Sequence, residues 1–237
     1  MGEWDRVFRQ HLPLPPHPQR RRARPPPRSA AFRCVLKYLH GAALSQLVCC
    51  ALQGAQYQLR LSLFDATYHH FFGRTWRSSW KGRSSCPPSC TVVYFHTSLN
   101  HPSIAAVVEV VMMAGKGDGS SQHLSCGFGI IPLFHGGSEV TDPATEDRAL
   151  KLYHGTPRAL LHPRFQDPAE KNKYMTVMEK SHLQYGLKSH QPLEAIFYLL
   201  PENLLISGLQ TVPGLLPARG DTGRGSFPFP LPVLLLL

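Results

Sequence analysis

The residues with the most chemical potential are a cysteine pair and two histidines. Cys86 and Cys90 stand in a C-P-P-S-C string, and His96 and His101 follow downstream. All four are zinc-ligand types, so a four-ligand set can be drawn from them. A structural zinc site uses two cysteine pairs, or one cysteine pair with a spaced histidine pair. Here one cysteine pair is present, and C-P-P-S-C fits a proline-serine loop equally well. GKGDG at 115–119 lacks the G-x-x-x-x-G-K-[ST] spacing of a phosphate loop, with no helix after it to supply a dipole. It reads as a hairpin turn. CGFG at 126–129 is no dinucleotide fingerprint, and its two glycines mark close sheet packing or a bulge. His69 and His70 are adjacent, so in a strand they face opposite ways and make a poor base or ligand pair. A G-x-S-x-G elbow is missing. Asp142, Glu146 and Asp147 share one loop and Asp118 sits on another, without the spacing that converges oxygens on calcium. The sequence thus assigns no catalytic, cofactor-binding or metal-ligating residue, and the chain reads as non-enzymatic.

Binding chemistry is more specific. Pro15, Pro18 and Arg20 form P-x-x-P-x-R within PPHPQR. A polyproline II segment ending in arginine docks an SH3-type aromatic groove while the arginine meets an acid. Arg20, Arg21, Arg22, Arg24 and Arg28 make a candidate surface for an acidic partner. The same run reads equally as a nuclear import signal or as a patch attracting anionic lipid. Nucleic acid is not the expected partner.

These residues belong to an arm that the composition sets apart. Eight arginines against Glu3 and Asp5 give the first 33 residues +6 of the chain's net +10. Proline numbers 22 of 237 residues, about twice the usual share of ~5%. Proline lacks an N–H and clashes with the preceding helical turn, so the composition leans away from an all-helical fold. Six scattered cysteines do not form a secreted disulfide frame, and residues 1–11 lack an apolar signal core. Both observations favour a reducing, cytoplasmic setting. The apolar run at 233–237 is far short of the ~20 residues that cross a bilayer.

The elements that would carry any surface are strands. QYQLRLSLF (56–64) alternates, with Tyr57, Leu59, Leu61 and Leu63 on one side and Gln58, Arg60 and Ser62 on the other. FRCVLKYL (32–39), TVVYFHT (91–97), RALKLYHG (148–155) and HLQYGLK (182–188) read likewise. SIAAVVEVVMM (103–113) is nearly all apolar and predicts a central strand, paired through a Gly/Asp hairpin with QHLSCGFGII (122–131). GAALSQLVCCALQG (41–54) fits a short helix or a strand, and 193–209 predicts a strand followed by a helical turn. Short strands at regular spacing predict an all-β antiparallel β-sandwich. We divide the chain into a disordered basic proline-rich arm (1–31), a β-sandwich domain (32–212) and an unpacked tail (213–237).

Particular strings carry a resemblance. PPHPQR (15–20), FGRTW (72–76), YFHTSLNHP (94–102), AVVEVV (106–111), LSCGFGI (124–130), LYHGTPRALLHP (152–163), QDPAE (166–170), LLPENLL (199–205) and SGLQTVPGLLPA (207–218) resemble, in order, the N-terminal region of the nephrocystin-4 family. The resemblance runs from about Trp4 to Ala218. It implies a C2-like β-sandwich and a scaffold with no catalytic residues. It also implies a ciliary transition zone, basal body and centrosome location and a place at cell junctions. The implied roles are ciliogenesis and epithelial organisation, with nephrocystin-1 and a retinitis pigmentosa GTPase regulator-interacting protein as partners. The family protein is far longer, which implies a fragment, an isoform or an incomplete gene model. Residues 78–93 and the end from about Gly220 depart from the family pattern. The alternative expectation is a calcium-independent membrane-docking module that binds anionic lipid through the arginine-rich arm.

Overall fold

The computed structural model describes residues 29–41, 56–82, 90–115, 121–134, 147–162, 175–190, 193 and 200–208. Among them are ten strands: β1 (Ala30–Gly41), β2 (Gln56–Asp65), β3 (His70–Arg77), β4 (Lys81–Gly82), β5 (Thr91–Thr97), β6 (Ile104–Gly115), β7 (Ser121–Pro132), β8 (Arg148–Tyr153), β9 (Val177–Ser189) and β10 (Ile206–Ser207). A 3-10 helix spans Pro157–Leu161. Every strand pairing is antiparallel. The strands join in one sheet in the order β10-β5-β1-β9-β8-β7-β6-β2-β3, with β4 beside β2. The all-β antiparallel reading therefore holds, in the form of a single sheet that curls until its ends nearly meet.

Period-two patterning drives this arrangement. Leu59, Leu61 and Leu63 of β2 are buried, while Arg60 and Ser62 between them stay partly open to water. In β6 both parities are apolar, as a strand covered on both faces requires. Ala106, Val108, Val110 and Met112 enter the main core. Val107 packs outside it with Phe64, Phe128, Leu160 and Met175, beneath the 3-10 helix. Inside, Phe32 stacks on Phe95 with ring centroids 5.2 Å apart and meets Phe134 edge-on at 5.5 Å.

The glycines of CGFG have both roles the sequence suggested. The β6–β7 register slips between Val110 and Val111, which makes Cys126 an extra residue in β7. Gly127 has φ +139, and a Cβ there would fall 2.8 Å from Met178 Sδ and 2.9 Å from the Tyr153 carbonyl oxygen. A Cβ on Gly129 would fall 2.6 Å from Leu150 Cδ2. The absent side chains let β8 and β9 close over β7.

Two readings are corrected. Within 193–209, residues 194–199 and 209 lie outside the described residues; in the described part the expected closing helical turn is replaced by a turn at Glu202 and Asn203 that precedes the short strand β10. Asn203 adopts φ +62, which ends helical continuation. Strand β9 begins at Val177, earlier than alternation in 182–188 indicated, because Lys180 at φ +54 interrupts the pattern. The ambiguous stretch 41–54 falls outside the described residues after Gly41.

The sheet ends approach one another at one contact. The β2–β3 register slips between Leu61 and Leu63, leaving extra residues in β3 around Gly73. Gly73 has φ +69, and a Cβ on it would lie 2.5 Å from the carbonyl oxygen of Asn203. The Asn203 N–H in turn donates to the His96 carbonyl of β5 at 3.0 Å. This seam joins β3 to the segment leading into β10.

Candidate interaction surfaces

Pro15, Pro18, Arg20, Arg21, Arg22, Arg24 and Arg28 lie outside the described residues, as do Cys86, Asp118, Asp142 and Glu146. Of the remaining zinc-ligand types, Cys90 is exposed before β5. His96 shares the parity of Tyr94 on β5, away from the main core, and is buried there with its Nε2 3.3 Å from the Leu200 carbonyl oxygen. Burial holds the His96 imidazole below the usual histidine range, against the opposing pull of the Leu200 carbonyl and Glu202. His101 is exposed, and its Nδ1 accepts the Ser103 N–H at 3.1 Å. His96 and His101 thus make separate hydrogen bonds in different parts of the fold. Among the described residues no group of three or more His, Cys, Asp or Glu side chains converges as a metal cage would.

Polar side chains at one barrel end mostly fasten turns. Asp65 is buried at the end of β2 and accepts the Thr67 N–H at 2.8 Å and the Ser103 hydroxyl at 3.1 Å. Burial alone would raise its carboxyl, but these donors and the N–H of Tyr68 hold it below the usual range. The two turns at 66–69 and 98–103 are thereby joined, and Ala66 N–H donates to the Ser103 carbonyl at 3.0 Å. His69 closes the first turn at φ +49 and places Nδ1 3.3 Å from the Leu160 carbonyl of the 3-10 helix. Tyr68, Leu99 and Leu161 stand exposed on these connected segments, three of the five large apolar side chains exposed among the described residues.

A second surface forms on the outer wall of β1, β9 and β8. Leu39 and Leu183 turn toward the core, which sends the next residues, His40 and His182, outward. On β8, Leu150 and Leu152 point in and Lys151 points out. The register sets His40 opposite His182 and His182 opposite Lys151. The two imidazoles stack with centroids 4.9 Å apart and planes 27° apart. Tyr38 meets the His40 ring edge-on at 4.7 Å. A bulge in β9 brings up exposed Lys180. Lys37 bonds to Asp147 nearby, and that hydrogen bond holds its ammonium above the usual lysine range. Among the described residues, no carboxylate forms an ion pair with His40, His182, Lys151 or Lys180. Sequence reading missed this row, because its members lie on three strands and only the register joins them.

The described residues thus form an all-β domain with an apolar core and with His40, His182 and Lys151 on its outer wall. No protein-family model matches the chain. It is similar to nephrocystin-4 of Homo sapiens, 55% identical over 227 residues, and this covers 94% of the chain and 16% of the human protein. Against nephrocystin-4 of Xenopus laevis it is 42% identical over 229 residues, with 94% of the chain and 16% of that protein covered. The resemblance read from scattered strings therefore extends over nearly the whole chain. The chain spans 16% of the length of the curated relatives it matches.

Proposed function

We propose that this chain works as a non-enzymatic scaffold module with a nephrocystin-4-like role. It would present a C2-like, barrel-shaped β domain to protein partners at the ciliary base and at cell junctions. The observation behind this reading is the 55% identity to human nephrocystin-4 across 94% of the chain. Two further features support it. The core is filled by side chains such as Phe32, Phe95 and Phe134, and the buried imidazole of His96 is engaged by a backbone carbonyl. Partners by resemblance are nephrocystin-1 and a retinitis pigmentosa GTPase regulator-interacting protein, with an SH3-type domain for Pro15, Pro18 and Arg20. The test is capture of nephrocystin-1 by the tagged chain from ciliated epithelial cells at physiological salt. Recovery above a scrambled-arm control supports the reading. Failure of the chain to retain either partner removes the scaffold role.

A specific observation favours a second reading, calcium-independent membrane docking. Tyr68, Leu99 and Leu161 protrude from connected segments at one barrel end. Amphipathic aromatic and apolar tips settle at a lipid interface. The arginine-rich arm would add attraction to anionic headgroups. Co-sedimentation with phosphatidylserine vesicles, lost in Tyr68→Ser with Leu161→Ser, supports this; vesicle binding indifferent to both substitutions excludes the tips.

A further inference from the structure

We propose that the outer wall of β1, β9 and β8 is a docking site for an acidic peptide segment of a protein partner, gripped by His40, His182 and Lys151 and strengthened as pH falls. The inference rests on the scaffold reading only in taking its ligand from a protein.

Geometry carries it first. The register aligns Lys151, His182 and His40 in one row across adjacent strands. Neighbouring strands lie about 4.8 Å apart, so the row reaches roughly 10 Å. Acidic side chains two residues apart in an extended peptide are about 7 Å apart and fit along such a row. Tyr38, edge-on to His40, supplies an amphipathic flank.

Charge carries it next. The charged groups beside the row are Lys37, Asp147, Glu179 and Lys180, with Tyr38 next to His40, while Arg148 shares the parity of Leu150 and hydrogen-bonds Tyr185 on the inner side. Counting Lys151, three cations stand against two acids, and Asp147 is occupied by Lys37. With no ion pair to Lys151, Lys180, His40 or His182 among the described residues, this wall has cationic capacity to spare. A carboxylate bound against an imidazole favours its protonated form, so binding of an acidic segment to this row takes up protons. The ligand is a peptide rather than a lipid surface on positional grounds. The row lies toward the Gly41 end of β1, whereas Ala30 at its other end pairs with Thr97 beside the turn that carries exposed Leu99.

The experiment uses the full chain and a fluorescent hexaglutamate peptide, read by anisotropy. In the parent protein Arg20, Arg21, Arg22, Arg24 and Arg28 are changed to alanine, which removes the arm's own attraction. The parent is expected to bind about fivefold tighter near pH 6 than near pH 7.5, because an acidic ligand favours the charged form of an imidazole it touches. His182→Gln with Lys151→Ala is expected to abolish that gain and leave the thermal transition in place, since both side chains reach solvent. The proposal is overturned if the double variant binds like its parent at both pH values, or if the parent binds no peptide. It is also overturned if phosphatidylserine vesicles, and not the peptide, are what the row retains. Loss of peptide binding with intact capture of nephrocystin-1 sinks this site alone; the reverse result sinks the partner reading and leaves the site.

Discussion

Replacing Gly73 with alanine tests how the sheet is closed. Gly73 has φ +69, and a Cβ added at this position would meet the Asn203 carbonyl oxygen at 2.5 Å. Two costs arise. Alanine in the left-handed region loses about 1–2 kcal/mol. The added carbon must also displace backbone, and the Asn203 segment is tied to β5 by its N–H bond to the His96 carbonyl at 3.0 Å. Weakening that bond costs about 1 kcal/mol. Alanine restricts the unfolded chain and returns about 0.4–1 kcal/mol. The net expectation is a loss of about 1–3 kcal/mol, which lowers the thermal midpoint by roughly 3–10 °C for a domain of this size. Circular dichroism melts of Gly73→Ala and the parent measure it. The companion variant Gly155→Ala is a control, because Gly155 also has positive φ, at +90, but nothing lies within 4 Å of its Cβ position. Equal midpoints for Gly73→Ala and the parent refute the seam, and equal losses in the two variants refute its steric part.

Other consequences follow from the core and its buried groups. Phe32 is 0% exposed between Phe95 and Phe134, so Phe32→Ala is expected to cost about 3–5 kcal/mol in urea unfolding. His96 is held below the usual histidine range by burial. Its stabilising effect is complete above the unfolded value of about 6.5 and is lost as pH falls from there through the folded value. Unfolding free energy should therefore drop from near pH 7.5 to near pH 5.5, less steeply in His96→Gln; identical slopes contradict this. The Cys34 thiol is fully buried and pushed up to about 12, and burial also raises Cys126, whereas Cys90 is exposed. Maleimide mapping by mass spectrometry should label Cys90 in the native protein and reach Cys34 only on unfolding.

Much of the fold was legible because it rests on alternation. The pattern in QYQLRLSLF fixed which face of β2 is buried, and the apolar parity of AVVEVV marked β6 as central. Alternation fails where the backbone leaves extended geometry. Lys180 and Asn203 adopt left-handed φ with no glycine to signal it, so the start of β9 and the turn before β10 were misread. The aromatic stretch 64–80 carried no clean period, because the register slip at Gly73 interrupts β3. The seam itself is one glycine meeting a residue 130 positions later, which no local pattern encodes. The same applies to the row of His40, His182 and Lys151. The candidate ligand motif on Pro15, Pro18 and Arg20 lies outside the described residues and remains a reading of local sequence, as polyproline recognition is a local property.

Localisation in ciliated epithelial cells tests the scaffold account most directly, with tagged full chain compared with a version lacking residues 1–31. The account predicts signal at the ciliary base from the full chain, reduced but still present without the arm, since the folded domain contributes contacts of its own. Diffuse signal from both, with the protein soluble and folded, contradicts it.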